Sequence, residues 1–314
     1  MTSMATTRKQ SREEQIRRER RAVLVVNTHS RHGARAYGRA RDLLAKHGFT
    51  LDASYPVRDP VRLQEIVHEV VAEGHRLIVI GGGDGTLSSV VDEFAHRDVV
   101  LGLLPLGTAN SFARTIGLPL SLDGAVQAIT QGKVADIDLA LVNQDYFLNT
   151  AALGISASVA RATPAWLKRH LGALAYGIIG AAKFPSHRPF RCRITEDGRV
   201  TELDALQVIL ANGRYHGGVL VAHRADVESR DVLVQIVTAA NRWNLVRAWL
   251  GVARGRPLDM SIAHELTVRD AVLETDTPQY VSVDGEVTAR TPIRISIAAE
   301  ALKLMVPLEF QDRD

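Results

Sequence analysis

The sequence predicts a two-part fold, α/β followed by all-β: an open parallel sheet covered by helices, then an antiparallel β-sandwich. Two observations predict it. From Ala22 to about Ala135, short continuous apolar runs alternate with segments of helical spacing, and unalternating strands belong to parallel sheets covered on both faces. Beyond Ala135 short strands come one after another with turns between them, the pattern of an antiparallel sheet or sandwich. The 314 residues, 46% hydrophobic and 23% charged, suffice to bury a sizeable core in one large or two medium domains.

Element by element, Ala22–Asn27 is an apolar run ending in a polar loop, and Ala34–Gly48 has helical spacing through Ala36, Ala40, Leu43 and Leu44, with Gly48 as the stop. Thr50–Tyr55 comes next as a strand, and Pro60–Gly74 carries Leu63, Ile66, Val67, Val70 and Val71 at helix period. Leu77–Ile80 and Val99–Leu104 are buried strands, and Thr86–Ala95 and Leu122–Gly132 are helices. In the second part, strands are expected at Ile137–Val142, Tyr146–Leu148, Phe190–Thr195, Leu206–Ala211, Val232–Val237, Leu266–Arg269, Ala271–Glu274, Tyr280–Val283 and Ile293–Ile297. Helical stretches interrupt them around Pro164–Phe184 and Asn244–Arg254, and Leu302–Pro307 closes the chain.

The net charge of +3 is unevenly spread: residues 1–22 hold seven basic and three acidic side chains, leaving 31 basic and 32 acidic residues elsewhere. Residues 1–21 therefore read as a disordered basic arm with a helical turn near Arg12–Arg21. No aromatic stacking motif accompanies the arm, so nucleic acid is not an expected partner. The single cysteine, Cys192, excludes an internal disulfide and suits a reducing, cytoplasmic compartment; in Arg191-Cys192-Arg193-Ile194 it reads as a structural strand residue. The first apolar run is too short for a signal peptide, and no run of about 18 apolar residues offers a membrane span.

The chemistry concentrates in Leu77-Ile-Val-Ile-Gly81-Gly82-Gly83-Asp84-Gly85-Thr86, a buried strand running through glycines into a helix. Glycines let backbone N–H groups face an anion closely, and the helix adds free N–H groups and the positive end of its dipole. The segment lacks the lysine of a P-loop and does not fit the dinucleotide fingerprint. Asp84 in such a cradle is suited to Mg²⁺ rather than to bare phosphate; the plain alternative is a tight turn with an Asp cap. Leu104-Pro-Leu-Gly107-Thr108-Ala-Asn110-Ser111 repeats the layout after the next strand. With Asn27-Thr28-His29-Ser30, three polar loops lie at the carboxyl edge of the predicted sheet, where open α/β sheets bind ligands. A nucleotide is the expected ligand.

At these residues the chain resembles the diacylglycerol kinase catalytic-domain family, which includes sphingosine and ceramide kinases and soluble bacterial lipid kinases. The resemblance rests on Gly81–Thr86, Pro105–Asn110 with Phe112-Ala-Arg114, Ile137-Asp138-Leu with Asn143, Phe147-Leu-Asn149 with Gly154, Ala211-Asn-Gly213 with Gly217-Gly218, and Val283-Asp284-Gly285-Glu286. It implies an NAD kinase-like α/β nucleotide-binding domain followed by a β-sandwich lipid-substrate domain. The expected divisions are 22–135 and 136–300, with 301–314 returning to the first domain. It implies ATP as phosphate donor, bound by Asn27, Gly81, Gly82, Gly83, Asp84, Gly85, Thr86, Thr108 and Asn110. By the same resemblance Asp84 and Asp138 belong to an acid–water–Mg²⁺ network, and Glu286 is the general base with Asp284 beside it. Taken alone, Asp284-Gly285 reads first as a hairpin turn.

Some positions depart from the family pattern. Asn27 is followed by Thr28 rather than proline, Arg31 stands where a glycine is expected, and Ser111 replaces an aspartate beside Asn110. A structural Mg²⁺ loop would be drawn from Glu228, Asp231 and Leu233, with Val232 in place of glycine. The implied acceptor is a diacylglycerol-like or sphingoid membrane lipid, reached from the water side. Trp166 with Lys168 and Arg169, the apolar stretch Leu171–Phe184 and the basic residues Lys183, Arg188, Arg191 and Arg193 suit peripheral contact with an anionic membrane surface; a core helix with snorkelling ends reads equally well. Two other readings are an NAD kinase-like phosphotransferase on a soluble substrate and a catalytically weak lipid- or nucleotide-binding homologue. A homodimer is compatible with all of them.

Overall fold

The apolar runs of the first part become the strands of a parallel sheet. The computed structural model describes residues 2–29, 31–162, 188–238 and 263–312 together with Trp243, Asn244, Arg247 and Gly251. The expected helices around Pro164–Phe184 and Asn244–Arg254 lie outside the described residues, the second almost wholly so. The chain divides into two units, one of residues 1–139 with 299–314 and one of residues 140–298.

In the first unit, β1 (Arg21–Asn27), β2 (Thr50–Val57), β3 (Leu77–Gly82) and β4 (Val100–Pro105) pair in parallel in the order β2-β1-β3-β4. Lys303 and Leu304 of the returning chain pair parallel to β4. Val23–Val26 and Leu77–Ile80 are fully buried, so one contiguous apolar run per strand marks the sheet's centre. Helices α2 (Arg31–Lys46), α3 (Pro60–Ala72) and α7 (Leu122–Gln131) pack on it. Helix α3 starts where Asp59 accepts the Val61 N–H and Pro60 presets the first turn, and it buries Leu63, Ile66, Val67 and Val70. Helix α7 is capped by the Ser121 hydroxyl, which accepts from Gly124 N at 3.2 Å. Gly48 and Gly74 each have φ +79°, the left-handed stop that glycine adopts freely.

Two expectations for this unit are corrected. Thr2–Glu19 forms a helix, α1, rather than a disordered arm. Its sequence lacks an apolar stripe, but it finds specific partners: Ile16 is buried, Arg17 donates to the Gly132 carbonyl at 3.0 Å, and Lys9 donates to Asp312 at 3.0 Å. Tertiary polar contacts, invisible to periodicity, supply what amphipathicity does not. The single helix expected at Thr86–Ala95 is two short ones, α4 (Asp84–Ser88) and α5 (Val91–Phe94). Ser89 Oγ donates back to the Thr86 carbonyl at 2.9 Å, a side-chain bond that competes with helix continuation, and Val90 leaves helical geometry at φ −126°.

The second unit is antiparallel. It holds the end of β5 (Lys133–Val142), β6 (Asp145–Phe147), β7 (Thr150–Gly154), β8 (Phe190–Glu196), β9 (Arg199–Ala211), the short β10 and β11 (Tyr215–His216, Val219–Leu220), β12 (Val232–Thr238), β13 (Ala263–Val268), β14 (Asp270–Thr275), β15 (Tyr280–Val283), β16 (Glu286–Arg290) and the first part of the long β17 (Ile293–Val306). The main path runs β16-β15-β7-β9-β8-β14-β17, with β12 paired to both β9 and β13. Its core includes Phe147, Leu153, Phe190, Cys192, Val208, Leu210, Val234, Leu273, Val281 and Ile295. Cys192 is structural, as its strand context implies: burial pushes its thiol up to about 12. Strands β7 and β16 escape sequence reading, because Thr-Ala-Ala-Leu-Gly is a poor β-former and β16 is a polar edge strand. Helix α8 (Ile155–Ala162) comes directly after β7.

Candidate functional site

The first half is built where β3 and β4 end. Gly83 opens α4 without a side-chain cap, and Asn110, at φ +49°, opens the short helix α6 (Ser111–Thr115). The two loops touch backbone to backbone: a Cβ added at Gly107 would sit 2.5 Å from Gly83 Cα, and one at Gly83 would sit 2.9 Å from Gly107 Cα. Only glycine at both positions permits that approach. Asn110 braces its own loop, accepting Gly107 N at 2.9 Å and donating to the Gly107 and Pro105 carbonyls. Asp84 ties the loops together: its Oδ1 accepts Phe112 N at 3.2 Å, one of the orphan donors at the start of α6. The Asp cap of the plain alternative is therefore present, but on the neighbouring helix.

The first loop is bonded to the second. Asn27 Nδ2 donates to Thr86 Oγ1 at 2.9 Å and Asn27 Oδ1 accepts His29 N at 3.0 Å. Thr28, in the place of proline, donates both its hydroxyl and its N–H to the Val57 carbonyl. Gly33 stands in no sequence motif, yet a Cβ there would lie 2.2 Å from the Asn27 carbonyl oxygen, so the start of α2 needs glycine two residues after Arg31. Gly81 and Gly82 are walled in by Val26, Leu106 and Thr86, whereas Gly85 has nothing within 4 Å of its would-be Cβ. Gly85 and Thr108 are exposed. Beneath the loops lies a cavity of about 10 Å³ lined by Gly83, Asp84, Asn110 and Phe112, room for about one water.

A larger hollow of about 190 Å³ lies at the opposite edge of the same sheet, against Arg21, Asp52, His75 and Arg76. Its charges are engaged with one another: Arg21 with Asp52, His75 with Asp52 at 3.3 Å and Glu73 at 3.0 Å, Arg76 with Glu19 at 3.4 Å. Its size does not make it the ligand site, since parallel sheets bind ligands beyond the carboxyl ends of their strands. Asp138, in β5, is buried, and its Oδ1 accepts Glu300 N at 2.8 Å, where Glu300 takes φ +54° in β17.

The second half is built around the β15–β16 hairpin. Asp284 and Gly285, at φ +44° and +93°, form its two-residue turn, the geometry Asp-Gly favours. The Asp284 carboxylate accepts three backbone N–H groups, from Leu148 at 2.9 Å and from Asn149 and Thr150 at 3.1 Å each. A carboxylate so engaged clamps the hairpin to Leu148–Thr150, which gives Asp284 a positioning role beside the catalytic one expected of it. Glu286, the first residue of β16, is exposed beside this turn. The clamped segment carries Thr150, whose hydroxyl lies 2.6 Å from His216 Nδ1, a contact no sequence signal announces. It also carries Asn149, 4% exposed, whose Oδ1 is buried with no hydrogen-bond partner among the described residues.

The expected structural Mg²⁺ loop fits an ion poorly. Asp231 Oδ1 accepts the Ser229 hydroxyl at 2.8 Å, closing the turn that also holds Glu228, while Leu233 lies inside β12 with β9 and β13 on either side, where its backbone faces a ladder. Among the described residues no three His, Cys, Asp or Glu side chains converge as a metal-binding group. Asp84 fits Mg²⁺ better: among the described residues only its Oδ1 is engaged by the fold, and Mg²⁺ is commonly held by one or two carboxylates together with substrate phosphates.

A parallel sheet ending in two interlocked glycine loops, joined in sequence to an antiparallel sandwich, defines an NAD kinase-like two-unit protein. Residues 21–142 match the diacylglycerol kinase catalytic domain, and residues 149–306 match the YegS C-terminal NAD kinase beta sandwich-like domain. The chain belongs to the diacylglycerol kinase catalytic-domain family, among its YegS-like members. It is 39% identical over 160 residues to the Salmonella dublin protein named "Probable lipid kinase YegS", covering 49% of this chain and 54% of that one. An uncharacterised protein of Synechocystis is 28% identical over 254 residues, covering 79% of this chain and 59% of that one. The chain thus spans somewhat over half the length of the curated relatives it matches. The crystal structure of a diacylglycerol kinase from Bacillus anthracis shares the fold, with a TM-score of 0.73 at 22% identity, covering 92% of this chain and 97% of that one.

Proposed function

We propose that this protein is a lipid kinase that transfers the γ-phosphate of ATP to the hydroxyl of a diacylglycerol-like or sphingoid membrane lipid. The observation that carries the reading is the pair of glycine loops pressed together at Gly83 and Gly107, with Asp84 spanning them, in a chain of this family. Backbone amides of Gly81–Gly85 and the Thr86 and Thr108 hydroxyls hold the triphosphate, and Asn27 and Asn110 fix the loop geometry. Asp84, and by the family resemblance Asp138, would hold Mg²⁺, which neutralises charge on the phosphates when bound. Glu286 takes the proton of the lipid hydroxyl as its oxygen attacks the γ-phosphorus and the bond to the β–γ bridging oxygen breaks, leaving ADP. Asp284 keeps Glu286 in place by clamping the hairpin to Leu148–Thr150. Asn149 Oδ1 offers a buried acceptor that an incoming hydroxyl would satisfy.

The test is incubation of the full chain with a bacterial lipid extract, NAD and γ-labelled ATP. Label in a lipid product, lost about 100-fold or more in Glu286→Gln, supports the reading. Label in NADP, or lipid phosphorylation undiminished in Glu286→Gln, refutes it.

A further inference from the structure

Tyr280, at the start of β15, is flanked by two arginines from different elements. Arg161 at the end of α8 has its guanidinium carbon 4.2 Å from the ring centroid, and Arg290 at the end of β16 has its own 4.6 Å away. Arg290 is also the cross-strand partner of Tyr280. Two cations are therefore held within about 9 Å of each other by one half-buried ring. Both arginines are exposed, and among the described residues neither has a carboxylate partner. Several other surface arginines of the same unit are paired, Arg191 with Glu202 and Asp204, Arg193 with Glu202 and Arg294 with Asp270, whereas Arg199 and Arg269 are exposed without an ion pair but have no aromatic ring beneath them among the described residues. Among the described residues the surroundings do not neutralise the pair. Helix α8, Ile-Ser-Ala-Ser-Val-Ala-Arg-Ala, has no acidic residue, and the one acid of β16, Glu286, lies four residues along the strand, roughly 13 Å away.

From this we infer that Arg161, Tyr280 and Arg290 form a docking element for the phosphate layer of an anionic lipid bilayer. Charge complementarity selects the occupant. Two guanidinium forks, preorganised on a ring and lacking counter-ions among the described residues, match phosphodiester oxygens, and tyrosine beside arginine is the side-chain pairing of the membrane–water boundary. The element sits on an edge strand, where among the described residues β16 pairs with β15 alone and four of its five residues are exposed. A broad charged surface can lie against that edge. The element deepens the lipid kinase reading by naming how the sandwich unit meets the membrane that holds the acceptor, and its test reads binding rather than phosphoryl transfer, so the two can fail separately.

The experiment is co-sedimentation of the full chain with phosphatidylcholine vesicles, with and without phosphatidylglycerol, at several salt concentrations. The intact protein should bind the phosphatidylglycerol vesicles, and less so as salt rises. Arg161→Gln and Arg290→Gln should each weaken binding about fivefold and the double variant about thirtyfold, the loss that ~1 kcal/mol per arginine at an anionic surface corresponds to. Arg161→Lys with Arg290→Lys, which keeps the charge, should retain most of it, and thermal melts should show all variants folded. Equal sedimentation of the double glutamine variant overturns the inference. So does displacement by millimolar inorganic phosphate at constant ionic strength, which would make the element a free-phosphate site.

Discussion

Asp84-Gly85 and Asp284-Gly285 are the same dipeptide, and the two halves of the molecule use it in opposite ways. In the first half Asp84 begins a helix, its carboxylate takes one backbone N–H from a neighbouring loop, and Gly85 faces open space. In the second half Asp284 and Gly285 both adopt positive φ as a hairpin turn, and the carboxylate takes three backbone N–H groups. The fold consumes one carboxylate and leaves most of the other available. The continuation of each strand decides the difference: Gly81–Gly83 lead β3 into a helix, whereas β15 reverses at once into β16. Asp84 at its helix start meets one backbone donor, while Asp284 at its reversal meets the three donors of Leu148–Thr150, which the pairing of β15 with β7 brings beside it.

Mutating the two aspartates should break this symmetry in measurable form. Asp84→Ala is expected to lower turnover about 10²–10³-fold, the scale of removing one preorganised charge at a reacting phosphate, while costing only about 1 kcal/mol of stability for its single hydrogen bond. Steady-state kinetics beside a urea melt would show the split. Asp284→Ala should reverse the profile. Losing an ionised acceptor for three N–H groups costs about 3 kcal/mol or more, seen as a lower urea midpoint, with activity falling because the hairpin bearing Glu286 loosens. If Asp284→Ala kept the urea midpoint and lost turnover alone, the clamp assignment would be wrong and a direct chemical role would remain.

The sequence makes the first half more legible than the second, for physical reasons. Gly81–Thr86 and Pro105–Asn110 are contiguous, and consecutive glycines after an apolar strand have few other uses, so residues 77–86 alone indicate a phosphate cradle. The clamp on Asp284 is not legible because its donors lie about 135 positions away at Leu148–Thr150; only pairing of β15 with β7 brings them together. The Thr150–His216 contact and the arginines about Tyr280 are equally non-local. Helix α1 reads as a disordered arm because its anchors, Gly132 and Asp312, are polar and remote, and periodicity reports only apolar faces.

The glycines sharpen the contrast at smaller scale. Gly107→Ala must push a Cβ to 2.5 Å from Gly83 Cα and should cost roughly 1–3 kcal/mol, as overpacking does, with KM for ATP rising at least tenfold. Gly85→Ala meets nothing within 4 Å and φ there is not positive. Its stability should stay within about 0.5 kcal/mol of the parent, so any rise in KM for ATP must come from the methyl group facing the nucleotide. An unchanged KM would place the triphosphate elsewhere.

Asp136 tests the same distinction from a third side, as a carboxylate the fold buries without rewarding it. Its Oδ1 is buried with no hydrogen-bond partner among the described residues, and its closest cation, Lys9, stands at 3.8 Å. Burial raises its pKa above the ordinary carboxylate range, against the opposing pull of Lys9 and Lys303. The folded protein therefore binds this proton more tightly than the unfolded chain does. The resulting stabilisation is fully present below the unfolded pKa near 3.8 and is lost as pH rises through the higher folded value. At neutral pH the ionised side chain is thus a net cost, and Asp136→Asn, which mimics the protonated form, should raise the urea midpoint there and lose that advantage as the pH approaches 4. A variant less stable than the parent at neutral pH would show that the Lys9 pair outweighs desolvation, and would make Asp136 an anchor of α1 in the way that Asp284 anchors its hairpin.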